Sequence, residues 1–183
     1  FYLPSALISC IEFLTKESSF SSCGGRALGF GSNGKKLYGV EVYPKLKGRS
    51  LEQDCALDRI HTHFSIYVPS HFYSVIRSSK YKKICKRVFD KKYNIYGISE
   101  LQLEFLVMVS GKSKIIPQLM WMRNKEVPQI SYGMPYIRIK KWWFDKRYQD
   151  EKLDFLCRMK KACDELSTDQ NSKFTENKIA MLF

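Results

Sequence analysis

The sequence predicts an α/β fold, a small mixed sheet flanked by helices in the order β-α-β-α-β-β-α, with extensions at both ends. Three observations lead there. The chain has 183 residues and is 44% hydrophobic, enough for one packed core. From residue 59 to 166, segments of period-two alternation exchange with segments of helical spacing. The last two strand-like segments are short and adjacent, so they pair, while right-handed crossovers put helices on both sheet faces. The expected organisation is an extension over 1–58 (helix, Gly-rich basic loop and short strand), an αβ core over 59–166, and a tail over 167–183.

In the extension, Leu7, Ile8, Ile11 and Leu14 share a helical face, and Ser5 is the expected N-cap. Residues 18–36 are rich in Ser and Gly and read as a loop. Gly29-Phe30-Gly31-Ser32-Asn33-Gly34-Lys35 has phosphate-loop spacing, but Lys36 stands where the motif needs Ser or Thr. A strand pattern follows at 37–43, where a phosphate loop must open a helix, so a flexible basic loop is the better reading. Residues 44–58 read as an exposed connector, with Ser50 capping a helical turn.

In the core, residues 59–68 alternate, with Ile60, Thr62, Phe64, Ile66 and Val68 on one face and His61, His63, Ser65 and Tyr67 on the other. Pro69-Ser70 opens an expected helix reaching Lys92. Ile98 to Val109 reads as a central strand, apolar on both faces at its end. Ile115, Ile116, Leu119 and Met120 have helical spacing, with Pro117 in the first turn. Pro128 to Pro135 frame a turn, and Tyr136 to Trp143 alternate as a strand. Leu153, Leu156, Cys163 and Leu166 line one face of a helix over 150–166. The tail, polar except near Phe183, is expected to order on a partner.

Charge is the strongest functional signal. The chain is +13 overall, and residues 70–149 hold 17 basic against 5 acidic groups. The helix over 70–92 carries Arg77, Lys80, Lys82, Lys83, Lys86, Arg87, Lys91 and Lys92 against Asp90 alone. A solvated helix mixes signs for i,i+4 pairing, whereas a one-sign helix is relieved by a polyanion. The strand at 136–143 adds Arg138, Lys140 and Lys141, with Lys146 and Arg147 beyond it. Trp142 falls on its cationic face, suited to stacking on a base, and Trp143 on the apolar one. The expected RNA-binding residues are therefore Arg77, Lys80, Lys83, Lys86, Arg87, Lys91, Arg138, Lys140, Lys141, Trp142, Lys146 and Arg147.

Other chemistries have weaker support. The six cysteines form no Cys-x-x-Cys pair, so they read as reduced thiols rather than zinc ligands. His61 and His63, with His71 or Cys55, lack metal-motif spacing and read as the polar side of a strand, so no metal or cofactor is expected. Asp54, Asp58, Glu100 and Glu104 are candidate carboxylates for an enzyme acting on nucleic acid. Glu100 and Glu104 fall on the outward side of a strand pattern, and an enzyme is not expected. No apolar run reaches membrane-spanning length. The chain opens on Phe1 rather than Met, compatible with a processed form or a fragment.

The β-α-β-α-β-β-α order is the one found in thioredoxin-like folds, although Pro69-Ser70-His71-Phe72 carries no redox thiol. The segment Pro128-Gln129-Ile130-Ser131-Tyr132-Gly133-Met134-Pro135-Tyr136-Ile137-Arg138-Ile139 resembles a motif of the thioredoxin-like family shared by mitochondrial ribosomal proteins and a complex I accessory subunit. Pro128, Ile130, Tyr132 and Pro135 fit that motif, and Met134 stands where the family has Asn. The resemblance implies a non-catalytic, mitochondrial protein seated in a large assembly. Together with the charge, it leads to a structural component of a mitochondrial ribosome that contacts rRNA backbone and neighbouring ribosomal proteins, with no small-molecule substrate. The alternative is an accessory subunit of a respiratory complex, which leaves the charge of residues 70–149 unexplained.

Overall fold

The computed structural model describes residues 1–90, 93, 95–126, 139–166 and 175–181. The class stands: a four-stranded mixed sheet flanked by helices. Its elements are α1 (Pro4–Lys16), β1 (Phe20–Ser32), β2 (Leu37–Val42), α2 (Ala56–Ser65), β3 (Val75–Ile76), α3 (Ser78–Phe89), α4 (Tyr96–Ser110), β4 (Lys112–Asn124), α5 (Ile139–Phe144), α6 (Gln149–Leu166) and α7 (Glu176–Ala180). This is not the thioredoxin-like order read from the sequence. Among the described residues, no helix is long and apolar enough to cross a membrane.

The sheet is built around β1, which lies within the expected extension. It pairs antiparallel with β3 at Ser22–Cys23 and with β2 at Ala27–Ser32, and parallel with β4 along most of its length. Its glycines suggested a loop, but they are positions of close approach. A Cβ on Gly25 would lie 2.6 Å from the carbonyl oxygen of Gln118. The register jumps there, with Gly24 opposite Ile115 and Arg26 opposite Leu119. Pro117 therefore sits in a bulge, where its missing N–H interrupts no ladder bond, and 115–123 is strand rather than helix.

Two further segments exchange type. The strand expected over 59–68 is instead a helix, α2, which covers 56–65. Ala56, Arg59, Ile60 and His63 are buried at helical spacing, while Ile66 stays 43% exposed. The run at 98–109 is α4, with Ile98, Leu101, Phe105, Leu106, Val107, Met108 and Val109 all buried. An apolar run that long suits a helix enclosed on every side better than a strand. The buried Arg59 guanidinium donates to the carbonyls of Met108 (3.0 Å) and Val109 (3.4 Å), matching a cation to the end of α4.

One core gathers α2, α3, α4, α6 and α7; a second lies between α1 and the sheet at Met120 and Trp121. In α1 the buried set is Ala6, Cys10 and Leu14, with Ile8 and Ile11 exposed. Pro4 opens this helix after Leu3, and Ser5 is not its cap. The helix over 150–166 matches α6, although Lys152 and Phe155 are buried where Leu153 was expected to be. The expected helix over 70–92 is divided into a 3-10 turn at His71–Tyr73, then β3, then α3. In the tail, Ile179 of α7 is fully buried in the α-helical core.

Candidate nucleic-acid interface

Helix α3 buries Ile84 and Val88 at i,i+4 and turns its remaining faces outward. Lys82, Lys83 and Lys86 are exposed, and none forms an ion pair among the described residues. Four cations of α6 and β4 are paired instead. Arg158 pairs with Asp154 (3.0 Å) and Lys160 with Asp164 (2.7 Å) along α6. On β4, Lys112 pairs with Asp54 (2.6 Å) and Lys114 with Glu52 (2.7 Å). Self-repulsion is visible at Lys80, whose pKa is lowered first by burial and then by Lys83, Arg59 and Arg77. Tyr81 and Phe89 on the same helix are 44% and 80% exposed.

The remaining expected contact residues differ in what they do. Arg77 serves the fold: it donates to the carbonyls of Phe20 (2.7 Å), Glu17 (2.9 Å) and Leu14. Arg87 pairs with Glu165 of α6 and lies 3.7 Å from Asp90. Lys140, Lys141 and Lys146 are exposed, while Arg147 is engaged by Asp145 (2.6 Å). Lys91, Arg138 and the motif at 128–138 lie outside the described residues.

Trp142 requires a correction. The strand reading put it on the cationic face, but 139–144 is α5 and each residue turns the chain by about 100°. Trp142 is fully buried against Phe155, and Trp143 is the more exposed of the two. It is a core residue and presents no face to a base.

Two shallow clefts open beside the Arg87–Glu165 pair. One, about 250 Å³, is lined by Lys83, Lys86, Arg87, Glu165 and Leu166. The other, about 270 Å³, adds Arg158 and Lys161 together with Asp90 and Asp154. They make a groove between α3 and α6 whose lysine-rich wall is α3, and Glu165 is the anion that already occupies it.

A second polar cluster is buried, and sequence patterning missed it. Glu104 of α4, read as outward-facing, is fully buried. Its Oε1 accepts from the Phe72 amide (3.1 Å), and its Oε2 lies 3.0 Å from Nε2 of His63. His71 Nδ1 is 2.9 Å from Ser113 Oγ, and the two imidazole rings meet edge to face at 4.9 Å. Burial raises the Glu104 pKa to about 7, against the backbone amides of residues 70–72, which favour the anion. Burial lowers both histidines to about 4. One shared proton between Glu104 and His63 satisfies both atoms, which have no other hydrogen-bond partner among the described residues.

Ser113, His71 and Glu104 have the residue types of a hydrolytic triad. Ser113 is completely buried, however, and the adjoining space has a volume of about 10 Å³, near one water. The Ser113 hydroxyl is enclosed, and the cluster ties α2, α4, β4 and the His71–Tyr73 turn to one another. His61 is exposed and stands apart from it. Among the described residues, no three His, Cys, Asp or Glu side chains are grouped to hold a metal ion.

No family model matches this chain. No curated protein and no solved structure matches it either.

Proposed function

We propose that the protein is a structural, non-catalytic RNA-binding component of a ribonucleoprotein, gripping RNA backbone through α3. The observation that carries this reading is the row Lys82, Lys83 and Lys86, exposed on one helix without an acidic partner among the described residues, where Lys112, Lys114, Arg158 and Lys160 each have a carboxylate. Phosphates supply the missing counter-charge and release condensed ions, giving affinity with little sequence preference. The shallow groove beside α3 suits a backbone better than an enclosed small molecule.

The finer reading, a mitochondrial ribosomal particle, rests on the motif at 128–139 and on no contact described above. Co-sedimentation tests it: the tagged protein travels with mitochondrial ribosomal particles, and recovery with a respiratory complex or with neither rejects that assignment. Charge reversal of Lys82, Lys83 and Lys86 to Glu tests RNA binding itself. It should abolish binding to a structured RNA while leaving the thermal melt within a few degrees. Undiminished binding would remove α3 as the contact.

A further inference from the structure

A second surface lies at the far end of the sheet, where β1, β2 and β4 run out past the core. The register sets side chains on its two faces. Gly29 stands opposite Val40 and Arg123, and Gly31 opposite Tyr38, so these residues share one face. That face continues inward to Ala27, Val42 and Trp121, which are buried under α1. Outward it is bare: Tyr38 is 47% and Val40 41% exposed.

The two glycines shape this surface. A Cβ on Gly31 would lie 2.5 Å from the Tyr38 hydroxyl and 2.7 Å from its Cζ, so the ring rests on the glycine. A Cβ on Gly29 would lie 2.8 Å from Cδ of Lys125, whose stem is laid over the strand in the same way. The result is an aromatic ring backed by glycine, open on its other side and flanked by Arg123 and Lys125. Arg123 lies 5.7 Å from the Tyr43 ring. The acids of this region alternate to the opposite face. Glu41 stands opposite Leu28 and pairs with Arg26 (2.8 Å), and Glu126 accepts from the Ser32 amide. The Tyr38 face therefore carries cations with no carboxylate among its described residues.

We propose that this sheet face binds a short stretch of single-stranded RNA, with one base stacked on Tyr38 and adjoining phosphates held by Arg123 and Lys125. The proposal rests on the RNA-binding reading above and adds a second, structurally separate contact. A π-face accepts any base, and the cations accept any phosphate, so the site is tolerant of sequence. An acidic peptide would use the cations but leave the ring unoccupied.

The test uses the full chain with two probes, fluorescein-labelled octauridylate and a 16-base-pair RNA duplex, at low salt. Tyr38→Ala should weaken octauridylate binding about 5- to 160-fold, the range for loss of one stacked base. Tyr38→Phe should retain it, and Leu37→Ala on the opposite face should leave it unchanged. None of the three should alter duplex binding, which belongs to α3. If Tyr38→Ala and Lys125→Ala bind octauridylate as tightly as the wild type while the duplex still binds, this inference is wrong and the α3 reading stands. Loss of octauridylate binding by Tyr38→Phe as well would also overturn it, because stacking needs only the ring. If neither RNA binds the wild type, both readings fall together.

Discussion

Replacing Glu104 by Gln perturbs the buried cluster with little change of shape. Its consequences follow from three titrations. Glu104 is raised from an ordinary 4.5 to about 7, so its stabilising protonated form is complete below pH 4.5 and is lost as pH rises through 7. His63 and His71 are lowered from 6.5 to about 4, so their stabilising neutral forms are complete above pH 6.5 and are lost as pH falls through 4. Between pH 6.5 and 4.5 the histidines together cost about 4 kcal/mol while Glu104 returns about 2. The wild type should therefore lose about 2 kcal/mol over that window, and Glu104→Gln about 4. Between pH 6.5 and 8.5 the loss of the Glu104 proton and the completion of the neutral histidines offset each other, so the wild type should stay flat, whereas the variant should gain about 1 kcal/mol. Urea denaturation at pH 4.5, 5.5, 6.5 and 8.5 measures both slopes. Comparing slopes cancels any pH-independent cost of the amide, such as a weaker bond to the Phe72 amide. Parallel curves for the two proteins would refute the assignment of a protonated, buried Glu104 beside neutral histidines.

Glu165→Gln should tighten RNA binding severalfold and steepen its salt slope by about 0.9, because Arg87 is released to a phosphate; weaker binding in an anisotropy titration would show that the pair positions Arg87 instead. Trp142→Ala should destabilise the fold by about 3–5 kcal/mol as a core cavity. Its RNA affinity, measured where the variant remains folded, should match the wild type, and a specific loss there would return Trp142 to the interface. Gly25→Val should prevent close pairing of β1 and β4, seen as a large drop in melting temperature, because its Cβ meets the Gln118 carbonyl.

The exposure of the α3 lysines was legible in the sequence, while several element types were not. Lysines at 82, 83 and 86 are exposed on α3 whichever residue opens that helix, since spacing alone sets their side. The class also survived, because apolar content and mixed patterning do not depend on order. What failed is the choice between period two and period 3.6 in short windows. In α2, Ile60 and His63 satisfy a helical stripe as well as an alternating one, and only burial against α4 decides. Pro117 looked like a helix start because nothing local marks a bulge opposite Gly25. The polar cluster was hidden for a different reason. Glu104, His63 and Ser113 come from three elements, and His71 from the turn before β3, so their meeting is a property of the fold. One local hint existed: in a helical reading Glu104 shares the face of Leu101 at i−3 and Met108 at i+4, so it is buried with them.

The most direct test of the central claim is the salt dependence of binding to a structured RNA, for the wild type and for Lys82→Ala/Lys83→Ala/Lys86→Ala. If these three lysines each neutralise one phosphate, the slope of log K against log salt should be shallower in the variant by roughly 2.7, taking about 0.9 per contact. Unrelated RNA sequences should lose affinity alike. Equal slopes in the two proteins would contradict the account, and the cations of α3 would then face solvent or an acidic protein surface.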